Sequence, residues 1–290
     1  MSAILVAVVI ALVLGHLAQP LVALRQFGWF DEWRQWLQAQ AGAGEWWRGR
    51  WGGLLSAGIP AALVGLLAAS LRDVGFGLPY FALAVVALFY AWGPHDLDRD
   101  VDSVLHAEGA EARRRAAAQI NPEVALSWDG PSLVEAVFAG ALSRWFGVLL
   151  WFLLLGPFGA IGYRLAALAA RDEALPQAQR DGLRRFKVLL DWPAAQLMTL
   201  ALALVANFDT VLAAWREWQR DGWHLDLGFL YAAARASVNC ELAVEAADAD
   251  EPASESPALL ALRDAMSLVW RILLVWLAIL ALFVLAGWVN

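Results

Sequence analysis

The sequence predicts an all-α, polytopic integral membrane helix bundle, and three observations carry that prediction. The 290 residues are 61% hydrophobic with a positive mean hydropathy, well above the roughly 45–50% apolar content of soluble domains. Six segments, at 3–19, 52–71, 78–93, 144–169, 188–207 and 268–288, approach the roughly twenty apolar residues that cross a hydrocarbon core. Seventeen tryptophans supply the residue type that collects where membrane meets water. Four to six segments are expected to cross, one of them broken or reentrant, with helical cytoplasmic loops between them.

Residues 1–93 read as N-terminal membrane helices. The first segment, AILVAVVIALVLGHLAQ, has no basic residue ahead of it and no small-residue cleavage site, so it reads as a retained anchor. Small residues recur every fourth position at Ala3, Ala7, Ala11 and Gly15, and again at Ala57, Ala61, Gly65 and Ala69. Such stripes let helix backbones approach closely where burial from water supplies no drive. Between them, FGWFDEWRQWLQAQ sets Trp29, Phe30, Trp33, Trp36 and Leu37 at helical spacing opposite charges. That pattern suits a tryptophan-rich helix lying in the interface.

Residues 94–143 read as an acidic helical loop, with apolar positions at Leu97, Val101, Val104 and Leu105. Residues 144–207 hold a broken membrane segment and the membrane helix that follows it. Residues 208–267 form a second helical loop ending in the acidic stretch AADADEPASESPA at 246–258, a linker composition. Residues 268–290 form the last membrane helix. The net charge of −7 is concentrated in the two loops, where nine acids face four arginines in 94–142 and eleven face four in 208–267. That sign repels phosphate backbones and excludes nucleic acid as a partner. With all six segments crossing, the long loops carry twelve basic residues against six on the other side, which places them in the cytoplasm. The dense basic run RDEALPQAQRDGLRRFK would then face outwards, a conflict that disappears if 144–169 dips in and returns, turning at GPFG.

Proline removes a backbone donor and glycine tolerates dihedrals closed to other residues. Gly156, Pro157, Gly159 and Gly162 therefore mark a kink or a reentrant turn. Unsatisfied backbone in lipid costs several kcal/mol, so the break is expected to face protein. Arg144 and Arg164 flank it inside apolar sequence. Each either snorkels to the headgroups or lines a polar site, with Asp191 as a candidate counter-charge.

Recognised catalytic motifs are missing from the sequence. There is no phosphate loop, no nucleophile elbow and no HExxH helix, and His16, His95, His106 and His224 lack metal-ligand spacing. Asp96, Asp98, Asp100 and Asp102 alternate, but the calcium-loop glycine position is Val101 and the bidentate-glutamate position is Ala107. A solvated helix start explains them, with Asp98 and Asp102 kept as candidates for magnesium. The one cysteine, Cys240, excludes an intrachain disulfide and reads as a small buried apolar residue.

Taken in order, YAWGPHDLDRDVDSVLHA, EAVFAGALSRWFGVLLWFLLLGPFGAIGYRLAALA and KVLLDWPAAQLMTLALALVANFDTVLAAW resemble the bacterial AmpE family over residues 88–218. Those are inner-membrane modulators of β-lactamase induction, themselves similar to CobD/CbiB, the membrane enzymes that use ATP and magnesium to amidate a corrin carboxylate. Arg144, Phe146, Trp151, Phe152, Gly156, Pro157, Gly159, Tyr163 and Arg164 meet the family core. The RDT and ESxAEN runs of the enzyme branch read QINPE and EAVFAGAL here, leaving Glu135 alone of those acids, and LDWxPxRL reads LDWPAAQL with Gln196 at the arginine position. The resemblance thus implies a non-catalytic regulator or sensor in a bacterial inner membrane, linked to cell-wall recycling, with a cell-wall metabolite or a regulatory protein as partner beside the lipid bilayer. Its binding residues would be Arg144, Gly156, Pro157, Gly159, Tyr163, Arg164, Asp191 and Glu135. The alternatives are a cobinamide amide ligase using Mg-ATP and a small transporter passing Gly156 and Arg164.

Overall fold

The computed structural model describes residues 2–17, 25–41, 50–93, 96–121, 127–172, 175–220, 222, 225–248 and 256–286, and every regular element among them is helical. In chain order these are α1 (Ser2–Leu17), α2 (Gly28–Ala41), α3 (Arg50–Leu71), α4 (Leu78–Ala91), α5 (Leu97–His106), α6 (Ala110–Ile120) and α7 (Gly130–Ala141). They continue with α8 (Gly147–Leu155), α9 (Pro157–Ala170), α10 (Gln177–Val205), α11 (Phe208–Gln219), α12 (Gly228–Asp248) and α13 (Pro257–Leu285). A π-helical turn, Leu142–Phe146, carries α7 into α8.

Four helical stretches are long and apolar enough to cross a bilayer: Trp51–Leu71, Gly130–Leu155, Gln177–Val205 and Pro257–Leu285. Two shorter apolar stretches, Leu5–Leu14 and Gly75–Ala91, accompany them. Leu63 and Leu66 on α3, Leu204 on α10 and Leu274 and Leu282 on α13 stand uncovered by protein. So many bare leucines on long apolar helices are at home only in lipid, and the chain is a multi-pass membrane protein.

The apolar helical stretch Gly130–Leu155 takes in only the first part of the fourth segment and begins ahead of residue 144; the rest of that segment is α9. Asp129 caps it, accepting from the Ser132 amide at 2.8 Å, and Pro131 occupies the first turn, where its missing N–H costs nothing. The linker over 246–258 lies outside the described residues from 249 to 255.

The chain divides into two compact units. The first comprises Met1–Pro94, Gly147–Leu190 and Leu280–Asn290. Here α9 packs antiparallel on α3, with Gly162 against Ala61 and Phe158 against Gly65. The small-residue stripe of α3 makes this contact possible, since Ala57 and Ala61 are buried. At its far end Ala68 is buried and Ala69 exposed. An α-helix turns about 100° per residue, so a strict four-residue repeat drifts round the axis and a three-residue step restores the face. Ala7 and Ala11 are likewise buried on α1, which packs on α4. The tryptophan-rich stretch is helical as α2, and Trp33 Nε1 ties it to α3 by donating to the Ser56 carbonyl at 3.1 Å.

The second unit comprises His95–Phe146 and Asp191–Ile279. The amphipathic α5 buries Leu97, Val101 and Val104, and it packs with α6 against α7. Gly140 is where these three helices meet: a methyl there would lie 2.9 Å from Leu97 and 3.3 Å from the Ile120 carbonyl. The pair α11 and α12 completes the unit, with α12 on α7. Asn207 caps α11 through the Thr210 amide at 3.1 Å. Cys240, expected buried, is half-buried on α12 near the Thr210 hydroxyl of α11.

Gly140→Leu is expected to cost about 1–3 kcal/mol by overpacking and to lower the unfolding midpoint of the detergent-solubilised protein. Gly58→Leu, where nothing lies within 4 Å, leaves the midpoint unchanged in the same tryptophan-fluorescence melt.

Candidate functional site

The broken segment is a helical hairpin within the first unit. Leg α8 ends at Leu155, and Gly156 adopts φ 65 and ψ −147, a region that side chains exclude. Pro157 then opens α9, its fixed φ already helical. The reversal leaves neither polar group of Gly156 orphaned. Its amide donates to the Phe152 carbonyl at 2.8 Å and its carbonyl accepts from Ala160 at 3.2 Å.

Two glycines set the spacing of the legs. A methyl on Gly159 would lie 2.0 Å from the Trp151 carbonyl, and one on Gly147 would lie 2.2 Å from the Tyr163 phenol ring. The pairs 151/159 and 147/163 run in opposite directions, so the legs are antiparallel and, of the kink and the turn that the sequence allows, the chain makes the turn at GPFG. Pro157 and Gly159 face protein, while Phe158 stays exposed.

Arg164 lies on α9 and is only 2% exposed. It does not snorkel. Its Nε donates to the carbonyl of Ala91, the last residue of α4, at 2.5 Å. Gly93, at φ +104, folds against the guanidinium so closely that a methyl would sit 2.9 Å from Nη2. Arg25, equally buried at 2%, donates from Nη1 to the Gly93 carbonyl at 3.3 Å and lies over the Phe89 ring at 4.0 Å. Two guanidiniums thus converge on one helix C-terminus, where carbonyls lack intrahelical donors and the macrodipole is negative. Sequence reasoning did not single out Arg25; ALRQFGWF offers no sign that its partner lies sixty-eight residues away.

The second unit repeats the device. The π turn wholly buries Leu142–Phe146, and from it Arg144 reaches Asp100 Oδ2 with Nη1 and the carbonyls of Gln119 and Ile120, each at 2.8 Å, with Nη2. The last two close α6, so one guanidinium caps one helix and pairs with another. Glu135 on α7 pairs with Arg235 on α12. Asp98 accepts from Trp270 Nε1 at 3.0 Å, and Trp270 packs on Trp145 at 5.1 Å. Asp102 pairs with His106 at 3.0 Å. Among the described residues no three His, Cys, Asp or Glu side chains gather as a metal would require. Asp191, 1% exposed on α10, sits beside Pro193 inside that helix.

The residues singled out from sequence therefore form two groups. Gly156, Pro157, Gly159, Tyr163 and Arg164 belong to the hairpin of the first unit, and Glu135, Arg144 and Asp191 to the second. Asp100 is the partner that could have been found. It lies between Leu97 and Val104 on the buried face of α5, an odd place for an acid without a cation. Compared with protein-family models, curated proteins and solved structures, the chain finds no match.

Breaking a buried ion pair by removing one partner costs about 3–5 kcal/mol. Asp100→Ala is thus expected to lower the thermal midpoint sharply, whereas Asp102→Ala, from an exposed pair, leaves it in place. Gly159→Ala drives a methyl into the Trp151 backbone. The Gly159→Ala protein is expected to melt at a clearly lower temperature, whereas Gly162→Ala, whose methyl would meet only the Ala61 side chain at 3.4 Å, melts close to the wild type.

Proposed function

We propose that this chain is an inner-membrane regulatory protein of the AmpE type, modulating β-lactamase induction in response to cell-wall recycling, and that it acts by binding and conformational change. One observation supports this reading above the others. The arginines of the family core, Arg144 and Arg164, spend their donors on helix ends and on Asp100. Groups committed in this way set the arrangement of helices, which is what a sensor changes when a ligand favours one arrangement over another.

A ligase of the CobD/CbiB kind needs neighbouring acids to hold magnesium and nucleotide. Asp98, Asp102 and Glu135 have Trp270, His106 and Arg235 as partners instead. A cell-wall metabolite or a regulatory protein fits the proposed role better than Mg-ATP.

In a bacterium with an inducible β-lactamase, Arg164→Met and Gly159→Leu are expected to change induction severalfold at unchanged membrane abundance. Normal induction with both variants overturns the proposal. Native mass spectrometry of the gently solubilised protein gives a second reading: a retained muropeptide or protein partner supports regulation, a magnesium nucleotide or corrinoid supports the ligase, and solute uptake by proteoliposomes supports transport.

A further inference from the structure

Beside the hairpin, the first unit contains a cleft of about 250 Å³ between α2 and the end of α9. Four charged side chains line it: Asp31 and Arg34 from α2, and Arg171 and Asp172 just past α9. Phe27, Phe30 and Leu168 form its apolar wall. Arg34 is held between the two acids, at 2.5 Å from Asp31 and 2.6 Å from Asp172. We infer that this cleft binds the headgroup of a zwitterionic phospholipid with a primary ammonium, of the phosphatidylethanolamine type.

The charge pattern selects the ligand class. Two guanidiniums and two carboxylates sum to zero, so neither a simple anion nor a simple cation is matched. A zwitterion meets both signs, its phosphate at Arg171 and its ammonium at Asp31, which is 61% exposed, and at Asp172. Arg34 acts as the clamp that holds the acids apart. The aromatic wall does not form a cage for a quaternary ammonium: Arg34 covers Phe30 at 5.0 Å and Tyr90 packs on Phe27 at 4.6 Å. Recognition therefore runs through N–H donors to carboxylates, which choline lacks.

Position selects a lipid over a soluble molecule. The antiparallel register of α9 on α3 brings the end of α9 toward the start of α3, where Trp51 is 68% exposed. Trp29 and Trp36 are exposed on α2 nearby. Uncovered tryptophans of this kind sit at headgroup level, and four charges would not be tolerated deeper. Phe27, Phe30 and Leu168 then meet the glycerol and the upper acyl chain.

The test uses the full chain in nanodiscs of equal phosphatidylethanolamine, phosphatidylcholine and phosphatidylglycerol, with native mass spectrometry of the lipids that the protein retains. Phosphatidylethanolamine should be enriched about tenfold over each of the others, the size expected for one charge-assisted contact set. Asp31→Asn and Arg171→Gln, both at partly exposed positions, should each return retention to the bulk ratio with an unchanged melting midpoint. Glycerophosphoethanolamine added without acyl chains should not displace the bound lipid. Retention at the bulk ratio, enrichment of phosphatidylglycerol or phosphatidylcholine, full enrichment in the Asp31→Asn protein, or displacement by the acyl-free headgroup overturns the assignment.

Discussion

Taking a guanidinium out of water costs several kcal/mol unless its donors are met, and Arg144 and Arg164 direct theirs to helix C-termini. A helix end has the complementary problem, with carbonyls that no intrahelical N–H reaches. Arg164 at the end of α4 and Arg144 at the end of α6 answer both needs, and Arg25 adds one donor to the Gly93 carbonyl just past α4. Much of the local geometry follows. Gly93 is needed so that backbone can lie against Arg164, and the π turn presents Arg144 to α6 and Asp100 together.

The hairpin obeys the same accounting for backbone. A reversal among apolar helices is tolerated only when its own polar groups are met. Gly156 does this by adopting a conformation that needs no side chain, and Gly147 and Gly159 bring the legs close enough to pack. The glycines that look like defects in an apolar run are the positions where one backbone touches another chain element.

How much of this was legible depended on contrast. Glycine, proline and arginine stand out against leucine, so the break and its flanking charges were visible in LLLGPFGAIGYRL. What the arginines touch was not visible. Arg164 donates to a main-chain carbonyl seventy-three residues away, and every residue has a carbonyl, so no side-chain pattern marks the partner. Asp100 was legible by its place on the apolar face of α5, but its alternation with neighbouring acids led to the reading of a solvated helix start instead. The helix start at Gly130 was marked by DGPS, but hydropathy registers apolar density and the stretch to residue 141 is diluted by small residues and Glu135.

The length of α9 bears on how the protein is made. Its fourteen residues rise about 21 Å, less than the roughly 30 Å of a hydrocarbon core. Lipid alone does not hold so short a leg; α3, which leaves the ribosome earlier, must already be waiting with Ala57, Ala61 and Gly65 uncovered. Biogenesis is thereby ordered, since α3 and its small-residue face are synthesised before the leg that packs against them.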